Sequence, residues 1–516
     1  MIGPRVGIAT GVRIGPAIGV SAAGTLPVIL GFPFDSNGVG QTITPDEWDE
    51  TFLTTTEVTA VPYRKIYSQS SNNPIPYLTP ITTGGVRQYN VNGVQNQGIQ
   101  LTFAQEAVRA GFSCAWAELS VSGIKALQCA PGSTFPTLPP GGPNLFSQGL
   151  AQGDAVAAAL GGVVRAAPII VGGNDGFDAT EAANVGTRLL EIVDGLVAHY
   201  PSIKIPMIRQ PDFQGIASTV PFLTTIQAGQ DACAAARPTT VTLIPTNDLK
   251  GHSDHLHYDG DSACILGQRV FFATLDALGI ARVRHATTPQ IVGWGPQYMG
   301  TGAYSPLPPG CGISGDLEIL FAITQLAAGT NNPVNTLTTT GTAWTAVGSQ
   351  VLATASGTTS RLAIFARPVT ANRASTATDL TTVPSNGNTI NGGRIVTIRG
   401  PNSLAVANIE LAQLSAGSAF QTAFTVTGGN TLSANSGVIV FAGGYRTNAT
   451  ANPATFSGGN VSGLTRRFTG NRVVTADFIT NACADAVLAA IGATGNFSVT
   501  FALNTLGVGA VLGVKP

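Results

Sequence analysis

The chain has 516 residues, 44% of them apolar, and its 26 basic and 27 acidic side chains leave a net charge of -1. That length exceeds one ordinary core, so two or three domains are expected, and the neutral balance gives no reason to expect nucleic acid or an anionic membrane as partner. Charged residues make up only 10%, against roughly 25% in typical soluble domains, which suits tightly packed β-structure or a surface covered in an assembly.

The first segment, Ile2-Gly3-Pro4-Arg5-Val6-Gly7-Ile8, is echoed by Ile14-Gly15-Pro16-Ala17-Ile18-Gly19-Val20. Two copies are too few for a solenoid, so residues 1–25 read as an extended arm, either docked on a neighbouring subunit or disordered. Pro4, Arg5, Arg13 and Pro16 interrupt it well short of the ~20 apolar residues of a spanning helix. Neither membrane insertion nor a signal peptide is expected.

From Leu26 short apolar runs alternate with helical spacing. Leu26–Leu30, Ala167–Val171, Ile205–Ile208 and Val241–Pro245 read as strands, and Leu101–Ala110, Ala179–His199 and Ser262–Leu278 as helices. The apolar face of the longest helix is Ala183, Val185, Leu189, Leu190, Ile192, Val193 and Leu196. Strands alternating with helices imply a parallel sheet covered on both faces. The Pro/Gly cluster SPLPPGCGISG over 305–315 marks a boundary, giving a domain over 26–304, a linker over 305–330 and a β-rich domain over 331–516. In that last part Gln350–Ala355, Ser360–Ala366, Gly393–Ile398, Ser436–Phe441 and Phe497–Leu503 read as short strands, with one helix near Ala482–Ile491. The pattern fits an all-β, sandwich-like fold.

The six cysteines, Cys114, Cys129, Cys233, Cys264, Cys311 and Cys483, show no zinc spacing. Buried free thiols are the simpler reading, with a pair such as Cys114 and Cys129 as the disulfide alternative.

Open parallel sheets hold their ligands beyond the carboxyl ends of the strands. There the sequence has Phe34-Asp35-Ser36-Asn37 after the first strand, where Ser36 is placed either as a nucleophile or as a turn or cap serine. Gly251-His252-Ser253-Asp254-His255-Leu256-His257-Tyr258-Asp259 holds three of the five histidines of the chain. An imidazole can take a proton from a serine hydroxyl while a carboxylate on its other nitrogen fixes the tautomer. The same cluster of His252, Asp254, His255, His257 and Asp259 could instead ligate a metal. Gly172-Gly173-Asn174-Asp175 offers a side-chain amide and Gln97-Gly98-Ile99 an unobstructed backbone N–H; both are donors of the kind an oxyanion requires.

In this order the four segments resemble the SGNH hydrolases, in particular the carbohydrate-esterase and sialate O-acetylesterase-like branch. The nucleophile block resembles Phe34-Asp35-Ser36-Asn37, the second block's glycine matches Gly98, the third block's Gly-x-Asn-Asp matches Gly172, Asn174 and Asp175, and the last block's Asp-x-x-His matches Asp254 and His257. The resemblance covers about half of the chain, from Leu26 to the helix ending near Leu278. It implies a three-layer α/β/α sandwich with a triad of Ser36, Asp254 and His257, and an oxyanion hole of Ser36, Gly98 and Asn174. It implies no cofactor and no metal. The departures are Phe34, where the family has glycine, and a long insertion between Gln41 and Asn96, which is expected to line a substrate groove.

The activity the resemblance implies is removal of O-acetyl groups from a polysaccharide. An N-terminal arm, an esterase and a β-domain rich in Gly, Thr, Asn and Ala look like the layout of bacteriophage tail fibre and tailspike proteins. That implies a homotrimer in a virion, bound to other tail proteins and to acetylated polysaccharide of a bacterial surface. The alternatives are a catalytically decayed fold kept as a structural or glycan-binding adhesin, for which Phe34 speaks, and a secreted extracellular bacterial esterase.

Overall fold

The computed structural model describes residues 26–35, 62–67, 75–80, 90–91, 94–95, 99–110, 112–121, 123–133, 144–251, 254–282, 288–301, 304–326, 335–339, 343–371, 380–384, 390–431, 433–446, 454–474 and 477–516. The arm over 1–25 and most of the 41–96 insertion lie outside them.

The first strand, β1 (Pro27–Phe34), is buried from Val28 onward, because helices cover both faces of its sheet. Val28, Leu30 and Phe32 belong to one apolar cluster, and Ile29 and Phe34 to another. A register shift between Gly31 and Phe34 returns Phe34 to the face of Ile29. Beside β1 run β2 (Pro62–Tyr67), β3 (Ile75–Pro80), β4 (Ala115–Ser120) and β5 (Val163–Ala166), in the order β3-β2-β4-β1-β5. All neighbours pair in parallel except β3, which is antiparallel on β2. Single parallel bridges, Ala166 to Lys204 and Ile169 to Met207, extend the sheet to β6 (Ile205–Ile208), which pairs in parallel with β7 (Val241–Ile244).

One face carries α1 (Gln100–Arg109) and α5 (Gly260–Ala277), where Phe103 meets Trp116 of β4 at 4.9 Å and Phe271 at 5.3 Å, both edge-on. The other carries α2 (Leu145–Leu160), α3 (Ala179–His199) and α4 (Leu223–Ala236). Asp178 caps α3 by accepting from the Thr180 and Glu181 N–H groups at 2.8 and 3.0 Å, satisfying donors that a helix start leaves open. Its buried stripe includes Ala182, Val185, Leu189, Ile192, Val193 and Leu196. Ala183, expected on that face, is exposed, since the 3.6-residue period places Ala182 one turn before Val185. The strand expected over Ala167–Val171 is displaced. Regular pairing covers Val163–Ala166, and past Pro168, which has no N–H, Ile169 and Ile170 make only isolated bridges.

The remaining described residues form antiparallel sheets. The first contains β8 (Gln290–Trp294), β9 (Tyr298–Thr301), β10 (Leu317–Leu326), β11 (Val351–Ala355), β12 (Thr358–Pro368) and β13 (Ile390–Arg399). Strand β10 lies inside the 305–330 stretch read as linker, and it pairs with both β12 and β13. The second contains β14 (Ile409–Val426), β15 (Ser436–Arg446), β16 (Ser462–Val474), β17 (Asp477–Leu488) and β18 (Phe497–Val514). The helix expected near Ala482–Ile491 is corrected here: β17 is a strand hydrogen-bonded on both sides, to β15 and β16. Its alanines suit a helix by propensity, but strand preference is set by neighbours and burial, and Ala482, Ala484 and Ala486 are all buried. Phe321 of β10 stacks flat on Phe441 of β15, centroids 4.1 Å apart, so the two sheets share a core. All six cysteines are free and buried.

Candidate functional site

The site lies at the carboxyl ends of β1, β5 and β7. Phe34, the departure from the family pattern, is fully buried and tilts against Trp116 at 6.1 Å. Gly31 makes room for it, because a Cβ there would stand 2.9 Å from the Phe34 ring. Asp35 follows, buried, with its N–H donating to the Ile170 carbonyl at 2.8 Å. Ser36 lies outside the described residues, as does Gly98. Next to Gly98, Ile99 and Gln100 are buried, and Gln100 Nε2 donates to the buried Glu118 carboxylate at 2.6 Å. That bond ties the start of α1 to β4.

Asn174 stands in a 3₁₀ turn, Gly173–Phe177, entered through Gly172 at φ 123°, a conformation that side chains disfavour. Its amide donates to the Ile124 carbonyl at 3.3 Å. Asp175 is buried and accepts from the Ala126 N–H through both oxygens, at 3.2 and 3.0 Å. Burial pushes its carboxyl up to about 7, against the opposing pull of the Ala126 hydrogen bond.

The 251–259 loop brings Asp254 and His257 together. Asp254 Oδ2 lies 2.6 Å from His257 Nδ1, and its Oδ1 accepts from the Leu256 and His257 N–H groups at 2.9 and 3.1 Å. Burial raises the Asp254 carboxyl, but the His257 side chain and these two N–H groups outweigh it and hold the group below the usual carboxylate range. An ionised carboxylate only accepts, so Nδ1 of His257 carries a proton and donates it to Asp254 Oδ2. His255 has φ 53° and makes the turn between the two. The loop closes through a bridge between Gly251 and Tyr258, whose ring meets Phe213 at 5.3 Å.

Sequence reading missed Gln214. It is buried, its amide donates to the Leu256 carbonyl at 2.8 Å, and a Cβ on Gly173 would lie 3.5 Å from the same nitrogen. Gln214 therefore binds the His257 loop and packs beside the Asn174 turn. Its place just after the end of β6 was the available signal. The charge of Asp35 also acts on Tyr258, so the ends of β1, β5 and β7 converge. Among the described residues no group of three or more His, Cys, Asp or Glu could hold a metal ion; His252, one of the ligands weighed for a metal, lies outside them.

No family model and no curated protein matches the chain. Solved structures similar to parts of it include a protein from Arabidopsis thaliana, at 16% identity and TM-score 0.37, covering 49% of this chain and 98% of that one. A carbohydrate acetylesterase from Xanthomonas citri aligns at 12% identity and TM-score 0.33 over 71% of this chain and 79% of its own. A psychrotrophic esterase from Pseudoalteromonas sp. aligns at 12% identity and TM-score 0.24, over 35% and 88%. At such scores these likenesses show neither family nor activity.

Proposed function

We propose that the chain is a serine esterase of the SGNH type that removes O-acetyl groups from a bacterial surface polysaccharide. The observation that carries this reading is the 2.6 Å contact between Asp254 and His257 Nδ1, in a loop hydrogen-bonded to Gln214, which packs beside the Asn174 turn. Ser36 Oγ attacks the ester carbonyl as Nε2 of His257 takes its proton. Asp254 stabilises the imidazolium. The oxyanion is held by the Ser36 and Gly98 N–H groups and by the second N–H of the Asn174 amide, each such donor contributing ~100–1,000-fold in rate. The C–O bond breaks, His257 returns the proton to the departing sugar oxygen, and water, activated by the same base, releases acetate from Ser36.

The test is acetate release from p-nitrophenyl acetate and an acetylated polysaccharide. Ser36→Ala and His257→Ala should each lose at least about 10⁴-fold in kcat. His255→Gly should keep its activity, because glycine accepts φ 53° without the Cβ cost. Absence of activity in a folded parent chain would favour the adhesin reading instead.

The setting proposed is a homotrimeric tail fibre or tailspike of a bacteriophage virion, bound to other tail proteins, or an extracellular enzyme. The few charges and the repeated Gly/Pro-rich sequence of residues 1–25 are what favour the virion setting. Sedimentation equilibrium of the full chain should give a trimer, and a monomer would remove the virion setting.

A further inference from the structure

Asp261, in the first turn of α5, is gripped from the β-region. Arg394 of β13, fully buried, donates through Nη1 to Asp261 Oδ1 at 3.0 Å and through Nη2 to Oδ2. Trp294 of β8 donates its Nε1–H to Oδ1 at 3.1 Å. The Arg394 guanidinium lies 4.2 Å over the Phe468 ring of β16, and the Trp294 ring meets Phe468 at 5.9 Å. Two strands of the β-region, β13 and β8, thus meet on one carboxylate of the α/β region, with Phe468 of β16 packed behind them.

That carboxylate sits at the root of the His257 loop. Asp259 caps α5 by accepting from the Ser262 N–H at 2.8 Å. Ser262 Oγ accepts from the Lys250 N–H at 2.9 Å, and the Asp259 N–H donates to the Lys250 carbonyl at 3.1 Å. Both ends of the 251–258 loop are therefore seated on the helical turn that holds Asp261. A buried ion pair is seldom a better source of stability than well-packed apolar groups of the same volume. What a bidentate pair adds is a fixed orientation.

We infer that Arg394 and Trp294 are positioning residues: through Asp261 they fix the start of α5 and so the aim of His257 in the esterase reaction. The inference rests on the proposed function for its kinetic consequence, but not for its structural one. Displacing the base by a fraction of an ångström to one ångström costs up to about 100-fold in rate.

The experiment uses the full chain as parent, Ser36→Ala, Asp254→Ala, Arg394→Met, Arg394→Lys and Asp261→Asn. Two readouts are taken: kcat and KM on p-nitrophenyl acetate, and the downfield proton resonance of His257 Nδ1–H, assigned by its loss in Asp254→Ala. Arg394→Met should lower kcat by about 10- to 100-fold with KM within about twofold, and broaden the resonance, while Arg394→Lys recovers part of both. Should Arg394→Met not fold, Asp261→Asn, which keeps the side-chain shape, carries the test with the same expectation. A folded variant with parental kcat and a parental resonance overturns the inference. Equal activity in parent and Ser36→Ala would instead sink the esterase reading, and the resonance alone then decides whether the β-region positions His257.

Discussion

Asp175 is held against its own charge. Its carboxyl is buried and satisfied only in part by the Ala126 N–H, and burial raises it to about 7, from about 3.9 in an unfolded chain. The folded state therefore binds this proton more tightly than the unfolded state. The stabilising contribution is complete below about pH 4 and is lost as pH rises through about 7. Three units of difference set a ceiling of roughly 4 kcal/mol. Urea unfolding should show stability falling between about pH 4 and 7, and Asp175→Asn should flatten that slope while keeping an oxygen for the Ala126 N–H. An unchanged slope in the variant would assign the dependence to another group. Asp254 works in the opposite sense. Held below its usual range by His257 and two backbone donors, it stabilises the folded loop at neutral pH and ceases to do so as acid protonates it.

At the scale of elements, helices α3 and α4 approach so closely that backbone meets backbone. A Cβ on Gly229 would stand 2.8 Å from the Gly186 nitrogen, and one on Gly186 would stand 3.1 Å from the Gly229 Cα. Alanine at an exposed helical glycine gains about 1 kcal/mol, whereas forcing a methyl into a closed contact costs about 1–3 kcal/mol. Here the obstructing atom is backbone and cannot rotate away, so the contact should win. Gly229→Ala is expected to lower the unfolding free energy by about 1–2 kcal/mol, and a stabilised variant would mean that the helices can slide apart. Helix α3 itself was legible in the sequence because its apolar residues recur at the helical period. Strands β1, β6 and β7 were legible as short apolar runs, whereas β2, with Arg64 and Lys65, and β4, with Glu118, were not, because charged residues interrupt them. Strand β17 was not, because an alanine-rich segment carries no period-2 contrast when both of its faces are buried. The displaced pairing before Pro168 was hidden for a different reason. Which residues of an apolar run actually pair depends on the neighbouring strand. At the site, the histidine-rich loop announced itself by composition, and the contact between Asp254 and His257 follows from a spacing that one turn can close. Gln214, Asp261, Arg394 and Trp294 could not be read from spacing, since they meet across 33 to 133 positions of chain.

For the molecule as a whole, the low charge content has a structural counterpart. Several of the charges it does have are spent in buried pairs: Arg269 with Asp248, Arg367 with Glu318, Arg394 with Asp261, Arg399 with Asp316 and Arg467 with Asp485. Such pairs are demanding, because removing one partner strands the other in a low-dielectric interior at about 3–5 kcal/mol. One of them, Arg394 with Asp261, joins the α/β region to the β-region, and Asp485 links the two β-sheets to each other. Asp485 of β17 accepts from the Ile291 N–H of β8 at 3.0 Å and from Arg467 at 2.5 Å, and one apolar cluster runs from Ile29 and Phe103 through Phe271 and Trp294 to Phe321, Phe441 and Val514. Chains of this length commonly unfold in separate steps because each domain closes its own core. A core continuous across both regions removes that independence: exposing α5 strips Trp294 and Arg394 of their partner, and opening the β-sheets uncovers Phe271 and the helical face behind it. Scanning calorimetry of the full chain should therefore give one endotherm, with calorimetric and van't Hoff enthalpies in agreement. Arg394→Met, by cutting the charged link while leaving the apolar contact, should lower the midpoint before it splits the transition. Two separate endotherms in the parent chain would show that the regions fold independently, and the shared cluster would then be a docking surface between finished domains.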